Sequence, residues 1–518
     1  MEKHIKRVVS LILLSLLVLL TFYAIISLEI SDVRNMPILK SLQNFFNYVF
    51  AIYIGLIAIV IFLENRNPSK TMAWLLVLTF LPGVGFVLYL FFGQNYRKKK
   101  LVNKKENIDF EDVKEEIRRQ KAIVEELRSI NESGSLVDNR LVRLLLNNSG
   151  APISTGNEIE ILTDGKATFD AIFREIERAE IVVNIQFFII KNDELGNKLK
   201  TLLIKKAQQN VKVRLIYDAV GSWRLGKAYV NELRAAGVQV EAFLPVFLPY
   251  LSRELNYRNH RKIITIDGHV GFVGGLNVGD EYLGKNKKLG YWRDTHMMIK
   301  GEGVYNLQSI FLKDWRFCSG SKSKTDMYFP TINKEGDSVV QIAASGPDSD
   351  WYSIFQAYFT MIATAENRVW ITTPYLVPEE SLMMALRTAS LSGIDVRIII
   401  PNRPDHFFVY WASRDNIEPL LEAGIKIYEY NKGFVHSKIM IVDGVSSSVG
   451  TANLDVRSME INFEVNAFVY DKEVAKRLEQ DFEHDMDNST EITLERHKKR
   501  GMRHKFLEAC GRLVSPIQ

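Results

Sequence analysis

The chain has 518 residues, 47% of them hydrophobic, and a formal net charge of +5 at pH 7. That length leaves room for a membrane module followed by one large duplicated domain. The two cysteines, Cys318 and Cys510, lie far apart and exclude both a disulfide framework and a zinc-ligand spacing, so function must be read from the placement of polar and apolar residues.

Three uncharged apolar runs come first, Val8–Leu28, Phe45–Leu63 and Met72–Gly93, of 21, 19 and 22 residues. At about 1.5 Å per helical residue each is long enough to cross a hydrocarbon core of about 30 Å. Lys3, Lys6 and Arg7 before the first run also allow a cleaved signal. Against that, the run is longer than an h-region, lacks a small-residue cleavage site and is followed by two more. Residues 1–96 are therefore predicted to be a transmembrane module of a multi-pass cell-membrane protein. Eight basic residues after the first run and beyond the third stand against five at the N-terminus and between the second and third. That asymmetry predicts a cytoplasmic catalytic domain, and a hairpin at Pro82-Gly83 that stops short of crossing reverses it. Residues 97–155 read as a charged helical connector.

Beyond the connector, strand-like and helix-like patterns alternate in two matching series. Ile181–Ile185, Val211–Asp218 and Leu233–Val240 correspond to Val369–Thr373, Ile394–Pro401 and Leu420–Ile427, with helical stretches Glu194–Gln208 and Glu380–Ser392 between. Such repetition predicts an α/β fold of duplicated βα units on a mainly parallel sheet, with halves at 156–330 and 331–490. Gly237 to His260 is 23 residues where Gly424 to His436 is 12. The first half thus carries an insertion, rich in Phe, Leu and Pro from Phe243 to Tyr250.

Each series ends in one polar frame, H-x-K-x4-D-x6-G-[G/T]-x-N. It comprises His260, Lys262, Asp267, Gly274, Gly275 and Asn277, then His436, Lys438, Asp443, Gly450, Thr451 and Asn453. The chain has nine histidines, and two in so long a frame outweigh the ordinary reading of a strand histidine as structural. His269, His296, His406 and His484 have no such frame and are expected to be structural or surface residues.

Alternate side chains of a strand share a face, so His260 and Lys262 point one way, as do His436 and Lys438. Ile263–Ile266 and Ile439–Val442 read as buried strands, and Asp267-Gly268 and Asp443-Gly444 as turns. A doubled His/Lys pair suits a centre that attacks a phosphate and protonates a departing alcohol, since imidazole serves as nucleophile or acid/base near neutrality. The two lysines with Asn277 and Asn453 supply charge and donors to phosphoryl oxygens. Asp267 and Asp443 fix a histidine tautomer or a strand end. No cluster of Cys, His and carboxylates suggests a metal.

These residues resemble the phospholipase D superfamily, whose members carry two such motifs facing each other across a pseudo-twofold axis. The resemblance implies a two-step phosphodiester exchange through a phospho-histidine, with His260, Lys262, Asp267, His436, Lys438 and Asp443 catalytic and Asn277 and Asn453 holding phosphate. It favours His260 as nucleophile and leaves the reverse assignment open. One departure is Gly275 and Thr451, where many members have Ser, so the two half-sites are not strictly equivalent.

Glu64–Leu76, Leu81–Gly85, Gly450–Ser458 and Asn462–Val465 are further similar to bacterial cardiolipin synthases. That similarity implies phosphatidyl transfer between two phosphatidylglycerols, giving cardiolipin and glycerol through a phosphatidyl-histidine, with no cofactor. The alternative for the same motifs is a phospholipase D or other phosphodiesterase with water as acceptor; a lipid-binding scaffold with a dead site is weakened because both His/Lys/Asp sets are intact. The implied partners are the phospholipid substrate and an anionic membrane surface, not nucleic acid, and the oligomeric state stays open. The tail, 491–518, is basic with apolar residues interleaved from Arg496 to Leu507. It suits an anionic membrane surface, or else a solvated end.

Overall fold

Runs of branched apolar residues, each four to eight long and bounded by turn residues, form strands buried on both faces. VVNIQF at Val182–Phe187, IITI at Ile263–Ile266 and IMIV at Ile439–Val442 are buried at every position. Each buried Val, Ile or Met side chain contributes roughly 1.5–3 kcal/mol. Between them, helices start where an Asp turns its carboxylate onto a free N–H. Asp164 accepts from Ala167 ahead of Gly165–Arg178, and Asp193 from Gly196 ahead of Glu194–Gln208.

The computed structural model describes residues 140–245, 256–320, 329–331 and 333–514, with 45, 48, 55, 72 and 74–78 near the N-terminus. The chain divides into two units, Met1–Lys100 and Leu101–Gln518. In the first unit the described residues are helical. The expected spans at 8–28, 45–63 and 72–93 otherwise lie outside the described residues, as do the connector before residue 140 and most of the Phe/Leu/Pro insertion. Among the described residues no helix is long and apolar enough to cross a membrane.

In the second unit the first half supplies β1 (Ile153–Asp164), β2 (Val182–Phe187), β3 (Lys212–Asp218), β4 (Gln239–Phe243), β5 (Ile263–Ile266), β6 (Val270–Gly274) and β7 (Tyr291–Lys300). The second half supplies β8 (Ser338–Ser345), β9 (Arg368–Thr372), β10 (Leu376–Val377), β11 (Asp395–Pro401), β12 (Lys426–Tyr430), β13 (Gly433–Val435), β14 (Ile439–Val442), β15 (Ser446–Gly450), β16 (Leu454–Asp455), β17 (Glu464–Val469) and β18 (Ser489–Ile492). One sheet runs β4-β3-β2-β5-β6-β7-β1-β8-β17-β15-β14-β9-β11-β12-β18. Outward from the β1–β8 pair the two arms repeat one order, so the duplication in sequence is a pseudo-twofold in space. The seam is antiparallel, with Ile153 opposite Gln341 and Ser154 opposite Val340.

The sheet is mixed, which corrects the expectation of a mainly parallel one. Along that path parallel pairing is confined to β2-β3-β4 and β9-β11-β12, and β13 joins off the path, parallel to β7. The Asp-Gly turns fold β5 onto β6 and β14 onto β15 as antiparallel hairpins, and β7 and β17 continue antiparallel from them. Alternating strand and helix patterns report the βα units, but hairpins between adjacent short strands leave no helix to announce them.

Candidate active site

Each motif histidine is held by the other half of the molecule. The residues before His436 form β13, which pairs in parallel with β7, and the His436 N–H donates to the Arg293 carbonyl at 2.7 Å. In the mirror arrangement Asn259 bridges to Phe463, and the His260 N–H donates to the Phe463 carbonyl at 2.9 Å. The residues that follow these two acceptors are Asp294 and Glu464. His260 Nδ1 lies 2.9 Å from Glu464 Oε2, and His436 Nδ1 lies 2.8 Å from Asp294 Oδ2. A carboxylate accepts, so each Nδ1 carries its proton and each Nε2 keeps a lone pair. Phe188 stands edge-on to the His260 ring at 5.1 Å between centroids, and Trp292 packs on His436 at the same separation.

Lys262 and Lys438 are buried. Lys262 Nζ donates to the His260 carbonyl at 2.8 Å. Lys438 Nζ donates to the His436 carbonyl and lies 3.0 Å from His436 Nδ1. Burial lowers the His260 pKa to about 4 despite Glu464, with Lys262 adding to the fall. Burial, then Lys438, lowers His436 to about 4 despite Asp294. Loss of hydration also brings Lys262 down to about 7 and Lys438 to about 8, each against the pull of the two carboxylates. Both imidazoles are thus neutral near pH 7 without substrate. A phosphodiester monoanion in this cluster opposes that effect and favours a proton on one of them.

The half-sites differ where the sequence differs. Thr451 Oγ1 donates to Glu464 Oε2, and Asn462 Nδ2 reaches Glu464 Oε1 at 3.3 Å. At the equivalent Gly275, an added Cβ would fall 2.1 Å from Asp294 Oδ1. Asp294 takes its donors from Thr295 N–H at 2.8 Å and Trp292 Nε1 at 3.4 Å instead. The shorter carboxylate thus occupies the space that a hydroxyl takes in the other half.

Asp267 and Asp443 stand away from the imidazoles. Both occupy left-handed turn positions, at φ 51° and 55°. Asp267 accepts from the N–H groups of Glu180, Ile181 and Val182, and Asp443 from those of Glu366, Asn367 and Arg368, all within 2.9 Å. Of the two expected roles, they take the strand end, and the carboxylates on the histidines come from outside the motif. Asn277 accepts from Ile189 N–H at 3.1 Å and donates to the Tyr282 hydroxyl at 3.3 Å. Asn453 is buried, with no hydrogen-bond partner for its Oδ1.

A cavity of about 900 Å³ is lined by His260, Asn277, His436 and Asn453 together. Phe188, Trp223, Leu289, Phe407 and Phe408 supply apolar wall, and Arg258 and Arg457 supply cations. Arg258 pairs with buried Asp218 at 3.1 Å, and Arg457 holds the Asn256 carbonyl at 2.7 Å. Among the described residues no three His, Cys, Asp or Glu side chains gather as metal ligands.

The profile of a family described as cardiolipin synthase, PLD-like domain, matches residues 172–315 and 358–486, one stretch per half. The cardiolipin synthase of Geobacillus kaustophilus is 47% identical over 478 residues, covering 92% of this chain and 94% of that protein. The chain belongs to the cardiolipin synthase family. The cardiolipin synthase of Listeria monocytogenes is 44% identical over 466 residues, covering 89% of this chain and 96% of its own. A second profile, phospholipase D-nuclease N-terminal, matches residues 51–94. The crystal structure of phosphatidylserine synthase from Haemophilus influenzae superposes with a TM-score of 0.57 at 14% identity, over 73% of this chain and 99% of that one. At that identity the likeness is one of fold.

In this cardiolipin synthase family member, Glu464 and Asp294 escape a search by frame. Glu464 follows Asn453 by 11 residues and Asp294 follows Asn277 by 17, because the turn Asp280–Leu283 and its loop lengthen the first half. The usable signal is a single acid in the strand that follows each motif, Glu464 in Glu464–Val469 and Asp294 in Tyr291–Lys300. His406, expected to be a structural or surface residue, is exposed and lines the cavity.

The neutral buried rings make stability depend on pH. His260, His296 and His436 all fall to about 4 from an ordinary 6.5, with burial as the main cause. Between those values the unfolded chain binds protons that the folded chain refuses, so stability drops as pH falls from 6.5 towards 4. The full effect is on the order of 3 kcal/mol per ring. Urea unfolding at pH 7 and pH 5 is expected to show a lower midpoint at pH 5, and equal midpoints would contradict neutral buried imidazoles.

Proposed function

We propose that the protein is a cardiolipin synthase, transferring a phosphatidyl group from one phosphatidylglycerol to another and releasing glycerol. The observation that carries this reading is the crossed pair of His–carboxylate contacts, His260–Glu464 and His436–Asp294, at one cavity whose walls are partly aromatic. Two oriented imidazoles with free Nε2 atoms meet the need of a double displacement, in which one bonds phosphorus and the other moves protons.

In the first step His260 Nε2 attacks phosphorus and the bond to the glycerol oxygen breaks. His436, protonated as the anionic donor binds, gives its Nε2 proton to the departing alkoxide. In the second, the acceptor's glycerol hydroxyl gives its proton to His436 and attacks phosphorus, and the P–N bond breaks. One phosphodiester replaces another, so no nucleotide is consumed. Lys262, Lys438 and Asn453 are assigned to the phosphoryl oxygens, on which negative charge collects. One difference between the half-sites supports His260 as the nucleophile: its carboxylate is pinned by Thr451 and Asn462, which fixes the ring for attack.

The catalytic residues, the membrane location and the use of a lipid hydroxyl as acceptor belong to this proposal. Purified protein given labelled phosphatidylglycerol is expected to yield cardiolipin and equimolar glycerol, with activity retained in EDTA. Phosphatidic acid as the main product would mark a hydrolase, and a strict divalent-metal requirement would contradict the phospho-histidine route.

A further inference from the structure

The wall of the cavity continues into an exposed surface that the chemistry does not use. Phe407 and Phe408 line the cavity yet remain 55% and 52% exposed, and Trp223, across the cavity on the other half, is 71% exposed. Arg224 stacks over the Trp223 ring at 4.7 Å. From Phe407 a run of ring contacts leads outward, to Trp411 at 6.3 Å and from Trp411 to His504 at 5.5 Å. His504 lies on the helix Met502–Val514, which packs on the helix Phe407–Asp415 so closely that a Cβ on Gly511 would fall 2.5 Å from the Ala412 nitrogen.

The inner side of that tail helix is committed to the protein, with Glu508 buried against Arg500 at 2.8 Å. Its outer side shows Met502 at 80% and Phe506 at 68% exposure. These two are one helical turn apart and so share a face. Arg503 and Lys505 are exposed beside them, and no acidic residue occurs from Arg496 to Leu507. Large apolar side chains amid cations fit the interface of a bilayer that contains anionic phospholipid.

We propose that the Phe407–Phe408 corner and the outer face of the helix Met502–Val514 form one docking surface for an anionic phospholipid bilayer, seating the cavity mouth against the membrane. The inference rests on the reading of the substrate as a phospholipid. A phosphodiester must reach the buried imidazoles while its acyl chains stay out of water, and the docking surface begins where the cavity wall ends.

The test uses the full chain in bilayers of phosphatidylglycerol and phosphatidylcholine, beside short-chain monomeric phosphatidylglycerol in solution. Met502→Glu/Phe506→Glu is expected to lower turnover in bilayers about tenfold or more, and Arg503→Glu/Lys505→Glu at least ~5-fold with a smaller salt dependence. Both should keep turnover on the monomeric substrate within about twofold, since neither pair lines the cavity. Equal losses on the two substrates, or no loss in bilayers, would overturn the docking surface. A fluorophore on Phe506→Cys, in a chain with Cys318 and Cys510 replaced by serine, gives a readout independent of turnover. Quenching by brominated phosphatidylglycerol is expected, and its absence would also overturn the proposal. Were the unsubstituted protein inactive on phosphatidylglycerol while that label was quenched, the catalytic reading would fail and the docking surface would stand.

Discussion

His260→Ala is expected to yield no covalent phosphoryl adduct when the protein is incubated with phosphorus-labelled phosphatidylglycerol and quenched in base, whereas His436→Ala retains label. A phospho-histidine survives base and is lost in acid, so the quench separates it from phosphoserine. His436→Ala still holds a nucleophile, oriented by Glu464 at 2.9 Å, and lacks only the proton donor for the leaving glycerol. Both variants should lose at least the ~10²–10⁴-fold in turnover typical of a missing acid–base group, with His260→Ala the lower. Label on His260→Ala and none on His436→Ala would reverse the two roles.

The second large effect concerns carboxylates. Glu464→Gln and Asp294→Asn are each expected to lower kcat by about 10²–10⁴-fold while KM changes little. An amide beside Nδ1 no longer requires the Nδ1–H tautomer and leaves the imidazolium unsupported. Asp267→Ala and Asp443→Ala should behave oppositely. Each removes an acceptor of three backbone N–H groups at a turn, so about 1–3 kcal/mol of stability goes while the folded enzyme keeps its chemistry. Urea midpoints and kcat measured on all four variants separate the pairs. A kcat loss at Asp443→Ala as large as at Glu464→Gln, at temperatures where both are folded, would return the motif aspartates to the reaction.

That contrast marks where sequence reading succeeds and where it stops. His260, Lys262, His436 and Lys438 were recoverable because alternation along a strand fixes which side chains share a face, and the repeat fixes the frame. The motif aspartates were ambiguous, because an Asp before Gly reads equally as a turn or as a partner for a neighbouring base. Glu464 and Asp294 could not be placed, since each meets a histidine from the opposite half, through contacts 204 and 142 residues apart. The Asp-Gly turns were legible as turns between short strands. The antiparallel pairing of β7 and β17 that makes the sheet mixed was not, because those strands join through partners that no local pattern announces.

The exchange of carboxylates across the β1–β8 seam also bears on how such a gene can change. Tandem copies ordinarily diverge freely, because one carries the task while the other decays. Here a lesion in β17, which bears Glu464, strikes the imidazole encoded some two hundred codons earlier, and a lesion in β7, which bears Asp294, strikes the later one. Neither copy is a spare. The variation left open is specialisation, and the Thr451–Glu464 arrangement beside Gly275–Asp294 is the form it has taken in this chain.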